Sequence, residues 1–235
     1  MMAFVAVAAV GLTFASCEKE ETSDTGNTPA PTPQPQPTPE GFVDLGLPSG
    51  LLWATCNIGA SSPEEHGNYY AWGETSTKEI YIWDTYTYAY GNSYDALTKY
   101  CNTAMYGHNG FTDNLTTLEA MDDAATAAFG DGVRTPTKEE WEELMANTTA
   151  EWTTMNGVDG RIFTATNGNS LFLPAAGYRS SRDRRDLDSH GSYWSSSLDE
   201  SYTIDAWYVN FYSDGQSVGS QYRYLGRTVR PVRSR

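Results

Sequence analysis

The chain has 235 residues, with 30 Asp and Glu against 15 Lys and Arg and a formal net charge of −15. So acidic a body argues against a nucleic-acid partner, because phosphates demand a basic footprint. The charge is uneven: residues 1–178 hold 6 Lys/Arg against 23 Asp/Glu, whereas residues 179–235 hold 9 against 7, so only the C-terminal part suits an anionic ligand.

Residues 3–16 form an apolar run too short for a bilayer, which takes about 20 apolar residues, but long enough for the core of a secretory signal. Ala15 and Ser16 before Cys17 resemble a bacterial lipobox, with Phe14 where an aliphatic residue is usual and no early Lys or Arg. The resemblance implies that residues 1–16 are a lipoprotein signal peptide and that Cys17 carries the lipid. Glu18-Lys19-Glu20-Glu21 resembles the export signal that sends Bacteroidetes lipoproteins to the outer face of the outer membrane. Prolines at every second position from Pro29 to Pro39 favour extended polyproline geometry, rising about 3.1 Å per residue. Residues 17–40 therefore read as an acidic and Pro-rich linker, and residues 41–235 as one domain.

Within that domain, Val43–Leu47 and Leu51–Thr55 read as strands around the turn Pro48-Ser49-Gly50. Ser62-Pro63-Glu64-Glu65 resembles the start of a short helix. Tyr81–Tyr106 lacks periodicity and reads as loop with room for one short strand. Leu118–Phe129 is an Ala-rich helix closed by Gly130. Thr137 and Glu140 form a capping box, after which Trp141, Leu144 and Met145 share one helix face. Arg161–Ala165 and Ser170–Leu173 flank the hairpin signal Asn167-Gly168-Asn169, and Ala206–Tyr212 and Thr228–Val232 are late strands. Strands at both ends with helices between them predict an α+β fold with its terminal strands paired.

Of three cysteines, Cys56 and Cys101 remain after Cys17, and an oxidising envelope invites a disulfide between them; two free buried thiols are the alternative. No Cys-x-x-Cys occurs, and His66, His108 and His190 lack ligand spacing, so neither a metal nor another cofactor is expected. Ser195, Ser196 and Ser197 have no nucleophile-elbow pattern and read as a Ser-rich strand end, despite His190 nearby. Asp122 and Asp123 could ligate calcium, but in an Ala-rich helix they read as a helix start and solvent face. Arg230 and Arg233 read as packing groups in a strand-like end.

The C-terminal loops are rich in Tyr, Ser, Asp and Gly, the mixture that paratopes use: large rings with few torsions beside adaptable polar groups. The candidate binding face takes Arg182 and Arg184 from the loop Ser180–Ser189, and Tyr202 from the turn Asp199–Asp205. Tyr212, Asp214, Gln216, Tyr222, Arg223 and Tyr224 complete it. The competing reading has these tyrosines simply alternating in and out of strands.

Several blocks, in order, resemble the Fibrobacter succinogenes major paralogous domain found in Bacteroidetes lipoproteins. They are Asp44–Leu51, Trp53–Asn57, Tyr69–Glu74, Asp122–Ala125 and Arg134–Trp141, followed by Phe172–Arg179, Tyr193–Ser197 and Gly226–Arg233. The resemblance implies a C-type-lectin-like fold: small twisted antiparallel sheets, two helices and long loops, akin to the formylglycine-generating enzyme. That enzyme depends on reactive cysteines late in the fold, and this chain has none after Cys101, so no catalysis is expected. Variable proteins of diversity-generating retroelements carry the same fold, and the Tyr/Ser/Asp-rich segment Ser195–Tyr224 matches their composition. The expected function is thus a monomeric, lipid-anchored surface module that binds a glycan or a surface or secreted protein. A structural envelope or pilus-associated subunit is the alternative, and a divergent formylglycine-generating-type enzyme the third reading.

Overall fold

The structure, a computed structural model, describes residues 40–91 and 93–235. The expected signal peptide, Cys17, the acidic run and all of the Pro-rich linker except Glu40 lie outside the described residues. Strand β1 (Phe42–Asp44) pairs antiparallel with β2 (Leu52–Ala54), Val43 opposite Trp53, as the Pro/Gly turn between them predicts. The Gly50 amide donates to the Leu47 carbonyl at 2.9 Å, and Glu143 accepts from the Ser49 amide at 2.7 Å and from its hydroxyl at 2.5 Å.

Ser62–Glu65 makes a turn, not the expected helix. Gly67 explains why: its φ is +72°, and a Cβ there would stand 2.5 Å from the Ile58 carbonyl oxygen. The chain folds back on itself at that point, leaving no room for a second helical turn. Tyr81–Tyr106 is a loop as expected, with a 3-10 turn at Trp83–Thr85 and isolated bridges. Its tyrosines are anchors: the Tyr81 hydroxyl donates to the Tyr69 carbonyl at 2.6 Å and the Tyr86 hydroxyl to the Trp72 carbonyl at 2.8 Å. Irregular backbone leaves carbonyls without ladder partners, and a buried phenol both fills volume and satisfies one.

The expected Leu118–Phe129 helix is shorter. A 3-10 turn at Ala120–Asp122 precedes α1 (Ala124–Phe129), whose N-cap is Asp123. The Asp123 carboxylate accepts from the Ala125 amide at 2.8 Å, which starts the helix there, and Gly130 ends it at φ 85°. Neither acid faces solvent as predicted. Asp123 also accepts from the amide and hydroxyl of Thr135, while Asp122 accepts from the Tyr88 and Tyr100 hydroxyls and Lys99.

After β3 (Val133–Arg134), helix α2 (Lys138–Ala146) begins with the predicted capping box and buries Trp141 and Leu144. Strands β4 (Thr148–Met155), β5 (Val158–Ala165) and β6 (Ser170–Pro174) form a three-stranded antiparallel sheet with β5 in the middle. The hairpin β5–β6 was legible; β4 was not, although Asn156-Gly157, with φ of 49° and 86°, is a hairpin signal of the same kind. Next come the small hairpin β7 (Tyr178–Ser180) and β8 (Asp183–Arg185), then β9 (Gly191–Leu198), β10 (Asp205–Phe211) and β11 (Gln216–Tyr222), with β10 central. Finally β12 (Val232–Arg233), shorter than the expected Thr228–Val232, lies between β2 and β3, so the terminal strands do pair.

The fold is α+β with small antiparallel sheets. The core that joins them centres on Trp53, Trp141, Phe163, Leu173, Tyr193, Val209 and Phe211, with the Trp53 and Trp141 rings 4.8 Å apart. Of the two alternatives for the cysteine pair, the structure has the free thiols, of which only Cys101 is buried. Cys101 is buried among Tyr69, Tyr81 and Leu97, and its thiol donates to the Thr103 carbonyl at 3.1 Å. Cys56 is a separate free thiol, 3.7 Å from the Thr55 hydroxyl.

Candidate functional site

Side chains alternate across β9–β11, so each cross-strand row belongs to one face. The row Tyr193–Val209–Val218 joins the core. The rows Trp194–Tyr208–Gly219 and Ser192–Asn210–Ser217 look the other way. On the edge strand, the Tyr208 ring lies over Gly219, at the distance where a Cβ would make ordinary contact with it, 3.4 Å.

Arg227 lies against this second face, 2 % exposed. Its guanidinium carbon is 3.8 Å from the centre of the Tyr208 ring, 4.5 Å from Trp194 and 5.6 Å from Tyr178. Burial pulls its pKa down to about 10, which still leaves it charged at neutral pH, and three aromatic faces partly replace the lost hydration. His190 is beside it, 4 % exposed, its ring stacked on Tyr212 at 4.4 Å and 4° and edge-on to Tyr178 at 6.2 Å. Burial first, and the Arg227 charge second, lower the His190 pKa to about 4, so the imidazole is neutral.

A second aromatic group adjoins the first. Tyr222 and Tyr224 stack at 5.7 Å and 21°, and Trp83 meets them at 6.1 and 5.0 Å. Tyr178 links the groups: it touches His190 and Arg227, and it is near enough to Tyr224 to add to the rise in that hydroxyl's pKa, which burial dominates. The outcome is an aromatic ribbon along β9–β11 whose outermost rings, Tyr212 and Tyr222, are 44 % and 41 % exposed. Both are backed by another ring.

Of the residues singled out in the sequence, Tyr212, Tyr222 and Tyr224 come together here, Tyr224 half-buried. Gln216 opens β11, and Asp214 is exposed in the turn before it. Arg182 and Arg184 are exposed on the β7–β8 hairpin, Arg182 reaching Glu79 at 3.3 Å and Arg184 lying near the Tyr69 hydroxyl. Tyr202 is exposed in its turn, away from any ring contact among the described residues.

Arg223 must be withdrawn as a ligand-binding residue. It is fully buried, donating from Nε to the Tyr86 hydroxyl and from Nη1 and Nη2 to the carbonyls of Tyr100, Thr203 and Lys99 at 2.8–3.0 Å. It ties three loops together. Arg230, read as a packing group, donates to the Ala54 and Thr55 carbonyls and to Asn57 Oδ1, all on one segment. Sequence reasoning missed Trp83, Tyr178, Tyr208, His190 and Arg227; alternation along Trp207–Tyr212 was the available signal for Tyr208.

Clefts also lie outside the ribbon, and two of them bear on the residues singled out above. One of about 340 Å³ borders the Asp199–Asp205 turn, lined by Lys138, Glu139, Glu200 and Trp207 among others, with the Lys138 ammonium 5.0 Å above the Trp207 ring. Another of about 560 Å³ runs past Pro48, Asn147, Thr149 and Thr164 and has no charged lining, so it offers volume with little chemistry. The Ser195 hydroxyl donates to the Trp207 carbonyl at 2.8 Å and Ser197 Oγ accepts from the Lys138 amide, both strand and helix contacts. Among the described residues, no three His, Cys, Asp or Glu side chains are grouped to hold a metal, and no helix is long and apolar enough to cross a membrane.

Residues 152–232 match the model of a domain of unknown function (DUF8237). The match runs from Trp152 in β4 to Val232 in β12 and takes in every ribbon residue except Trp83. No curated protein and no solved structure matches the chain.

Proposed function

We propose that this protein is a non-catalytic recognition module that binds its ligand on the aromatic ribbon of β9–β11. The observation that carries the reading is the pair of exposed rings already stacked on buried or half-buried supports, Tyr212 on His190 and Tyr222 on Tyr224. Rings held this way offer contact area without freezing many torsions on binding, and a ligand meets a surface preorganised for it. Arg182, Arg184, Asp214 and Gln216 flank the ribbon with directional polar groups. The C-type-lectin-like fold, which would present such a face by design, remains the proposed fold. With it go the proposed lipid anchor at Cys17, display on the outer membrane, and diversification of the segment Ser195–Tyr224.

A glycan-array and secreted-glycoprotein screen on the full chain tests this. Tyr212→Ala and Tyr222→Ala should each weaken any ligand found by about fivefold or more, since a ring stack is worth about 1 kcal/mol beyond its buried area. Binding that ignores both changes would move the site elsewhere. The envelope-subunit alternative would draw on β4, an eight-residue strand paired only with β5 among the described residues, but exposed Glu151 at its centre blunts that edge.

A further inference from the structure

Beneath the ribbon, five polar atoms have no hydrogen-bond partner among the described residues: Nδ1 and Nε2 of His190, Oγ of Ser192, and Nε and Nη1 of Arg227. Their residues are 4 %, 0 % and 2 % exposed. They belong to one place. Tyr193 and Thr228 form a parallel bridge, so Ser192 and Arg227, one residue earlier on each segment, turn to the same side. That side is the Trp194–Tyr208 face, where Arg227 touches both rings. Tyr178 then meets Arg227 at 5.6 Å and His190 at 6.2 Å.

Buried donors without acceptors cost their desolvation and gain nothing in return, and proteins rarely leave several together. The chemistry of these atoms selects the missing group. Arg227 can only donate, and two of its nitrogens, Nε and Nη1, carry three free N–H groups; Ser192 and the neutral His190 can each donate once more. Asp205 feels the Arg227 charge and its Oδ1 is also unpartnered, yet the two side chains make no ion pair among the described residues, so the guanidinium donors stay open. A planar anion with two acceptor oxygens answers all three residues, which is carboxylate geometry. The neighbouring exposed rings add a flat apolar platform, suited to the face of a pyranose.

We infer that His190, Ser192 and Arg227 form a recessed subsite for the carboxylate of an acidic sugar of the hexuronate class, with Tyr212 as its movable cover. This rests on the ribbon being the binding face. Tyr212 is the cover because its ring lies over His190 and is 44 % exposed, so rotation about its Cα–Cβ bond opens a path; Tyr208 is held mid-strand against Arg227. Arg227 supplies the charge and the donors on Nε and Nη1, and His190 and Ser192 fix the second oxygen.

The test compares methyl β-D-glucuronide with methyl β-D-glucoside on the full chain by calorimetry and by the His190 ring C–H shifts in NMR. The glucuronide should bind at least tenfold tighter and move the His190 resonances. Ser192→Ala and His190→Phe, which keep volume and stacking where replacing the buried Arg227 would disturb the core, should each remove that preference while leaving the melting temperature unchanged or higher. Equal binding of the two sugars, or a preference that survives both substitutions, would assign the five atoms to ordered water only and overturn the subsite. If neither sugar binds but the glycoprotein screen yields a ligand sensitive to Tyr212→Ala and Tyr222→Ala, the subsite falls and the ribbon stands. If nothing binds in either assay, both fall.

Discussion

Replacing His190 by Phe should change how stability depends on pH, because His190 and Asp205 titrate in opposite senses beside Arg227. The His190 pKa falls from 6.5 to about 4, through burial and then the Arg227 charge, with Asp186 at 4.0 Å opposing. Between those values the unfolded chain binds more protons than the native state, so this residue makes stability rise as pH rises from about 4 to 6.5. At about 1.4 kcal/mol per pH unit the ceiling is about 3 kcal/mol, and about 2 kcal/mol is expected because the buried imidazole lies directly under the exposed Tyr212 ring. Asp205 does the reverse. Burial, and then the Asp199 charge, raise it from 3.8 to about 6 against the pull of Arg227. There the native state binds the extra proton, and stability falls by about 1–2 kcal/mol as pH rises from about 4 to 6, after discounting for partial exposure. The two nearly cancel in the wild type. His190→Phe should therefore expose a decline in stability from pH 4 to 6, and Asp205→Asn a rise. Urea melts followed by tryptophan fluorescence at pH 4, 5, 6 and 7 measure both, and subtracting wild type removes the contributions of His66, Asp44 and Asp122, whose pKa values are also lowered. A His190→Phe difference curve that is flat from pH 4 to 6.5 would show that the imidazole is not held neutral by its surroundings.

Arg223→Met should destabilise by about 3–5 kcal/mol, because it strands the buried carbonyls of Lys99, Tyr100 and Thr203; a loss under about 1 kcal/mol in urea melts would contradict the strut role. Thr137→Ala removes one half of the capping box and should cost about 1 kcal/mol, seen as a melting temperature lower by a few degrees. Dithiothreitol should leave the melting temperature unchanged, since Cys56 and Cys101 are unbridged; a drop of several degrees would restore the disulfide. Tyr222→Ala should keep stability within about 1 kcal/mol of wild type, as its ring is 41 % exposed, so any lost binding would report on recognition.

What the sequence disclosed was local. The capping box at Thr137, the Pro/Gly turn at Pro48–Gly50, the Asn-Gly hairpin at Asn167–Gly168 and the closing Gly130 each depend on a few adjacent residues, and each formed as expected. The misses depend on remote partners. The Ser62–Glu65 helix fails because Gly67 must pass the Ile58 carbonyl, and the long Ala-rich helix starts late because Asp123 is engaged by Thr135. The ribbon was half legible for the same reason: composition pointed to Tyr212, Tyr222 and Tyr224, but nothing local places Trp83 against them.

The arginines show how composition misleads about a surface. The C-terminal part reads as basic, yet Arg223, Arg227 and Arg230 are all buried. Two of them substitute for secondary structure. In a fold this rich in loops, many carbonyls have no ladder partner, and a guanidinium with five donors can satisfy several at once. Arg223 does so for the loops around Lys99 and Thr203, and Arg230 for the end of β2. Arg227 breaks the pattern. It is as deeply buried, but it faces rings, and its Nε and Nη1 meet no carbonyl. If its role were also to tie loops, a partner carbonyl would be within reach as it is for the other two. Its free donors instead lie under the exposed tyrosines, which places the charge where a bound anion could use it.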